Sequence, residues 1–328
     1  MPALATYDLT KDYAIGFWRP RPYRALDHLT LEVEPGEVFG FLGPNGAGKT
    51  TTLKLLMQLV YPTSGRAELL GKPSGDASAK RRIGYLPENP YFYDHLTAEE
   101  LLRYFAGLFG YSGAEQRARA SRLLDEVGIG AERKLQLRKF SKGMLQRVGI
   151  AQALINDPEL VIFDEPMSGL DPLGRREVRA LILRLRDRGC TVFFSSHVLS
   201  DAEALCSRVA ILAKGRLVTA GRLNEMLAFR ARGWELVVSG ITQPLLGSIS
   251  PRATRVTRIG EDRFSFELPL GVAVDRLLSE LAVGGAAVVS LNPIRDTLED
   301  FFVGQVSTPE VAAHDRGLNG PKVAGGRR

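Results

Sequence analysis

The chain has 328 residues, 45% of them hydrophobic and 24% charged, which excludes a disordered polymer and leaves room for one large domain and a smaller one. Its formal net charge of +6 comes from basic residues scattered among acidic ones, so charge makes no case for nucleic acid, and no run reaches the roughly 18 apolar residues that span a bilayer. Cys190 and Cys206 lack the spacing of a metal knuckle or redox pair and read as buried thiols in a reducing cytosol, and the opening residues lack the apolar core of a secretory signal.

Residues 4–42 alternate apolar and polar positions and finish in VFGFLG, which predicts strands running into a glycine-rich turn. A helix is predicted from Lys49 to Val60, closed by Tyr61, Pro62 and a turn at Ser64 and Gly65, with RAELLG as a short strand beyond it. From about Leu96 to Asn156 the periodicity turns helical, with Thr97 as the N-cap of AEELLRYFAGLF and apolar spacing again in ASRLLDEVGI, so a helical insertion is expected. Two strongly apolar strands follow, ELVIF and TVFFSS, separated by a helix over Leu173–Asp187, the rhythm of a parallel βαβ unit. RVAILAKGRLVTAG predicts a hairpin turning at Lys214 and Gly215. Residues 231–305 hold WELVVSG, FSFELPL, VDRLLSELA, AAVVSL and TLEDFFV, enough for a small α+β domain, and residues 307–328 have the composition of a disordered tail.

GPNGAGKTT, from Gly43 to Thr51, matches G-x-x-x-x-G-K-[ST] and lies between an apolar strand and a helix, the context a phosphate-binding loop requires. Gly43, Gly46 and Gly48, with Pro44, Asn45 and Ala47 between them, let successive N–H groups point inward at phosphate oxygens, aided by the positive end of the helix dipole. Lys49 adds a mobile positive charge, the Thr50 hydroxyl is suited to Mg²⁺ bridging the outer phosphates, and the Thr51 amide stands beside them.

LVIFDEP, from Leu160 to Pro166, is a buried strand ending in two adjacent acids, a costly arrangement unless a cation or water chemistry uses them. Because successive strand residues face opposite sides, Asp164 is expected to reach the metal while Glu165, aimed elsewhere, accepts a proton from the attacking water.

FSKGMLQR, MSGLD and FFSSH accompany these two motifs in an order that resembles the ATP-binding cassette, or ABC, family over residues 4–225. The resemblance implies an α/β fold: a P-loop (RecA-like) ATPase core with an N-terminal antiparallel β subdomain, an inserted helical subdomain at about 90–156, and here the small C-terminal α+β domain at 231–305. It also implies that two cassettes sandwich two ATP molecules. Ser141 and the backbone at Gly143, before a helix beginning near Met144, would then bind the γ-phosphate held by the partner cassette, Asp171 would connect the two sites, and His197 would position the attacking water.

Two departures stand out. FSKGM replaces the usual LSGGQ, so Lys142 stands for a glycine, either adding positive charge near the phosphates or, the reading preferred, projecting into solvent, and Met144 for a glutamine whose polar contacts it cannot repeat. IGYLPENP carries Glu88 where a metal-sensing glutamine is usual; a carboxylate can still ligate Mg²⁺ but, ionised, has no hydrogen to donate. An aromatic residue is expected on adenine, with Tyr13 the best match and Phe17, Trp18 and Tyr23 as competitors.

The resemblance thus implies an ATP- and Mg²⁺-dependent ATPase subunit, of the kind found in bacterial drug, antibiotic and polysaccharide exporters. It would lie peripherally on the cytoplasmic face of the cell membrane, pair with a second copy or a homologous cassette, and serve a separate multi-span permease through residues Tyr91 to Phe109. No nucleic acid is expected. The alternative is a cassette that acts on ribosomes or nucleic acid without a membrane partner, which the single set of motifs disfavours.

Overall fold

The computed structural model describes residues 1–16, 21–226 and 231–295. Its first sheet is antiparallel, in the order β2-β1-β4-β5, from β1 (Leu4–Ile15), β2 (Arg21–Val33), β4 (Ser64–Leu69) and the short β5 (Lys72–Pro73). Leu4, Leu9, Leu26, Leu29, Leu31 and Val33 bury one side of it, the alternation legible in the sequence.

The second sheet runs β10-β9-β3-β8-β7-β6. It contains β3 (Val38–Leu42), β6 (Ile83–Leu86), β7 (Leu160–Asp164), β8 (Thr191–Ser196) and β9 (Arg208–Ala213), all parallel to their neighbours, with β10 (Arg216–Arg222) antiparallel at one edge. Every residue of β3, β7 and β8 is buried, as expected of parallel strands covered on both faces. Phe39 stacks on Phe193 at 5.8 Å, and Phe41 meets the same ring at 5.4 Å.

Around these sheets lie α1 (Lys49–Leu56), the single turn α2 (Ala77–Lys80), α3 (Ala98–Leu108), α4 (Gly113–Glu126), α5 (Lys142–Ala153), α6 (Pro172–Asp187) and α7 (Leu199–Leu205). Helix α1 stops at Leu56 rather than Val60. Met57 closes it, and Gln58 takes a left-handed φ of 52°, so the chain turns out of the helix without a glycine or proline to announce it. Helices α3 and α4 each begin with a capping box, Thr97 with Glu100 and Ser112 with Glu115. With α5 they form the helical insertion, sharing one core of Leu101, Leu102, Leu123, Leu124, Val148 and Ile150. Helix α5 begins at Lys142, earlier than the start near Met144 read from sequence, because Ser141 is its N-cap.

The chain divides into two compact units, Met1–Leu223 and Asn224–Arg328. The short α8 (Leu223–Met226) falls at the boundary, and the described part of the second unit beyond it comprises β11 (Ala231–Ser239), α9 (Gln243–Ile249), β12 (Arg255–Arg258), β13 (Arg263–Pro269), α10 (Val274–Val283) and β14 (Ala287–Arg295). The antiparallel order β12-β13-β11-β14 with this βαββαβ succession is the ferredoxin-like topology. Leu236, Val238, Ile249, Phe266, Leu268, Leu277 and Leu281 form its own core. TLEDFFV, the tail at 307–328, and Phe17 and Trp18 lie outside the described residues. Both cysteines are free; Cys190 is buried, with burial pushing its thiol up to about 12, and Cys206 is half-buried as a residue while burial raises its thiol as well.

Candidate nucleotide and catalytic site

The phosphate loop leaves β3 and enters α1 at Lys49. Its shape depends on glycine at two close approaches. A Cβ on Gly43 would stand 2.3 Å from the Leu212 carbonyl oxygen, and one on Gly48, where φ is 106°, would stand 2.5 Å from that of Ala25. Gly46 also has positive φ, 79°, yet faces open space on the side a ligand would enter. The turn between β9 and β10 supports the loop from behind: Gly215 N–H donates to the Ala47 carbonyl at 2.9 Å, and Asp27 N–H to the Gly215 carbonyl at 2.8 Å.

A cavity of about 400 Å³ opens over this loop, lined by Tyr13, Tyr23, Ala25, residues Pro44 to Thr51, Glu88 and Glu165. Tyr13 and Tyr23 are cross-strand partners on β1 and β2, so the pairing that brings one ring to the cavity brings the other. Lys11 Nζ sits 5.1 Å from the Tyr13 ring centroid. Lys49 is 6% exposed, donates to the Gly43 carbonyl at 2.7 Å and the Pro44 carbonyl at 3.3 Å, and lies 3.4 Å from Glu165 Oε1.

Asp164 ends β7 at 1% exposure. Burial raises its carboxyl above the usual carboxylate range, opposed by the Ser195 and Thr50 hydroxyls, reinforced by repulsion from Glu88, and opposed again by Lys49. Ser195 Oγ donates to Oδ1 at 2.6 Å. The Thr50 hydroxyl is near enough to favour ionisation, but no group completes a hydrogen bond to Oδ2, which is left buried and orphaned. That open oxygen, the Thr50 hydroxyl and the Glu88 carboxylate are hard donors suited to Mg²⁺. Among the described residues no cluster of three His, Cys, Asp or Glu could hold a metal by itself.

Glu165 does not reach its position by strand alternation. The strand ends at Asp164, and Glu165 adopts φ of 50°, a left-handed turn that swings its carboxylate toward Lys49 and to His197 Nδ1 at 2.9 Å from Oε2. His197 follows β8 directly and also borders a neighbouring hollow of about 200 Å³ with Ser168, Gly169 and Arg175.

Ser141, Gly143 and Asp171 stand apart from the cavity over the chain's own phosphate loop. Ser141 Oγ accepts the Met144 N–H at 3.2 Å, and Asp171 Oδ1 accepts the Gly174 N–H at 2.7 Å, each capping its helix. A Cβ on Gly143 would meet Leu170 at 3.3 Å, so small size there also serves packing. Lys142 is exposed, with its aliphatic stem over Gly169. Two residues escaped the sequence reading. Ser195 is a polar side chain inside an all-buried strand, and Gln146 is a buried amide on α5 that donates to the carbonyls of Glu165 and Pro166 at 3.3 Å each.

A P-loop strand and helix, a buried acid at the end of the strand one place beyond the next in the same sheet, and a carboxylate held by lysine and histidine define a nucleoside triphosphatase. The sequence profile of the ABC transporter family matches residues 26–168. An uncharacterised ABC transporter ATP-binding protein of Synechocystis is 46% identical over 303 residues, covering 92% of this chain and 84% of that protein. A bacitracin transport ATP-binding protein of Bacillus licheniformis is 43% identical over 306 residues, covering 92% and 96%. A dimeric ATP-binding cassette solved in a post-hydrolysis state with ADP and Pi superposes with a TM-score of 0.62 at 27% identity, covering 67% of this chain and 98% of that one. The chain belongs to the ABC transporter ATP-binding family. It is an ATP-binding and ATP-hydrolysing subunit of an ABC-type transporter, and among its described residues no helix is long and apolar enough to cross a membrane.

Proposed function

We propose that two copies of this cassette, or one copy with a homologue, close on two Mg²⁺-ATP molecules and so power export through a separate multi-span permease at the inner face of the cell membrane. The observation that carries this reading is a site in two halves. Lys49, Asp164, Glu165 and the tyrosines gather at or beside one cavity, whereas Ser141 and Gly143 stand away from it and need a second chain to meet a γ-phosphate. Export in particular is supported by the bacitracin transport relative and by a Nod factor export ATP-binding protein of Cupriavidus metallidurans, 36% identical over 244 residues and covering 74% of this chain and 80% of that one.

In this reading the backbone N–H groups of Asn45, Gly46 and Gly48 to Thr51 and the Lys49 ammonium bind the β- and γ-phosphates. Thr50, Asp164 and Glu88 would hold Mg²⁺, which offsets phosphate charge when bound. Glu165 accepts a proton from water as the water oxygen attacks the γ-phosphorus and the bond to ADP breaks. His197 donates Nδ1–H to Glu165 and so orients that carboxylate for the attacking water. Tyr13, with Tyr23 beside it, offers adenine a stacking surface. Asp171, at the head of α6, links the paired sites. Closure is driven because ATP contacts both chains only in the closed state. The exposed side chains of Tyr91, Tyr93, Tyr104 and Leu108 offer the permease an aromatic surface on the helical insertion.

Glu165→Gln tests the reading. It should bind ATP normally while turnover falls by about 10²- to 10⁴-fold, trapping the closed pair. A multi-span membrane protein recovered with it from native membranes supports the proposal; ribosomes or nucleic acid without any membrane protein would sink it.

A further inference from the structure

Ser195 lies in the second sheet at 0% exposure, in a strand buried at every residue. Other hydroxyls of β8 serve nearby backbone: Thr191 Oγ1 accepts the Gly36 N–H at 2.9 Å, and Ser196 Oγ accepts the Val198 N–H at 2.9 Å. Ser195 does something else. Its Oγ donates its only hydrogen to Asp164 Oδ1 at 2.6 Å and accepts the Glu165 N–H at 3.0 Å, so one hydroxyl holds both adjacent acids.

We propose that Ser195 is a positioning residue for ATP hydrolysis, fixing Asp164 with Oδ2 as its open oxygen and holding the Glu165 backbone in the turn that aims its carboxylate at Lys49 and His197. The inference rests on the roles given above to Asp164 and Glu165. The register explains why a side chain is needed. The parallel pairing of β7 with β8 ends at Asp164 opposite Ser195, so the next amide, that of Glu165, has no ladder carbonyl to meet. That amide belongs to a residue at φ of 50°, a conformation that a non-glycine residue holds only when its surroundings enforce it. A buried carboxylate with one oxygen engaged and the other orphaned cannot rotate freely without losing its one partner, so the Ser195 bond also selects which oxygen faces a cation.

The test compares Ser195→Ala, Ser195→Thr and Ser195→Cys in the full chain, with Glu165→Gln as control. Removing the hydroxyl should lower kcat by about 10- to 100-fold, as losing a partner behind a metal ligand typically does, while nucleotide affinity measured in EDTA changes by less than about two-fold. Two readouts do not depend on turnover. Mn²⁺ titration with ATP present, followed by electron paramagnetic resonance, should show weaker binding in Ser195→Ala, and amide exchange at Glu165 should lose its protection. Ser195→Thr should recover both. Ser195→Cys fills the space with a poor donor and acceptor and should resemble alanine; full activity in it would mean that volume is what matters, which overturns the proposal. Unchanged kcat, Mn²⁺ affinity and Glu165 protection in Ser195→Ala would overturn it too, as would an equal loss of nucleotide affinity, the mark of a general structural role. Wild-type turnover in Glu165→Gln would instead overturn the underlying catalytic reading, and the exchange data would still report whether Ser195 holds the turn.

Discussion

Lys49 is committed before any nucleotide arrives. Its ammonium rests among loop carbonyls and 3.4 Å from Glu165 in a nearly dry setting, so an incoming phosphate competes with that carboxylate for the charge. Under the proposed mechanism, binding would draw Lys49 toward phosphate and free Glu165 for water. Lys49→Met should weaken ATP binding in EDTA by about 10- to 100-fold, the worth of a charge-assisted hydrogen bond, and titration calorimetry giving wild-type affinity would contradict this. At this scale the sequence was legible where chemistry is written in consecutive letters, as at Gly43 to Thr51 or Asp164 and Glu165. It was not legible where a residue acts across the sheet. Ser195 meets Asp164 from 31 positions away, and Gln146 meets Glu165 from 19, contacts that no local pattern encodes. The reason given for the aim of Glu165 does not hold: strand alternation governs side chains only while the strand lasts, and its end lies one residue earlier.

Elements were readable where their ends carry chemical signals. Helix α3 begins at Thr97 with a reciprocal bond from Glu100, and Thr97→Ala should destabilise the fold by about 1 kcal/mol, seen as a lower denaturant midpoint at unchanged slope. No shift in midpoint would mean that packing of Leu101 and Leu102 fixes this helix without its cap. Helix α1 was read too long because nothing between Leu56 and Val60 forbids helix; the break comes from Gln58 in a conformation its residue type does not advertise. Two small elements of the second unit left no trace. Strand β12 is exposed at every residue, so it has no buried alternation to detect, and α9 carries Pro244 and Gly247 within seven residues. They exist because the ferredoxin-like topology supplies their partners.

For the whole molecule, Ser141 does not line the chain's own cavity, so under the proposed pairing a single copy would bind ATP but lack a complete reaction site. A substitution can divide these properties. Ser141→Asp keeps an N-cap of equal quality and sets a carboxylate where a partner's γ-phosphate should sit. It should leave ATP affinity within about two-fold yet abolish the ATP-dependent dimer that Glu165→Gln forms, as read by sedimentation. Persistence of that dimer would place the interface elsewhere.

The position of β3 inside its sheet also has a consequence in time. The phosphate loop is synthesised early, but its strand is flanked by β8 and β9, and its Ala47 carbonyl is met by Gly215, all of which emerge far later. At the usual rate of translation roughly 10–30 s separate Thr51 from Gly215. Throughout that interval the growing chain carries the entire phosphate-binding sequence without the strands that give it shape, so newly made protein becomes a nucleotide binder only when the hairpin at Gly215 has left the ribosome.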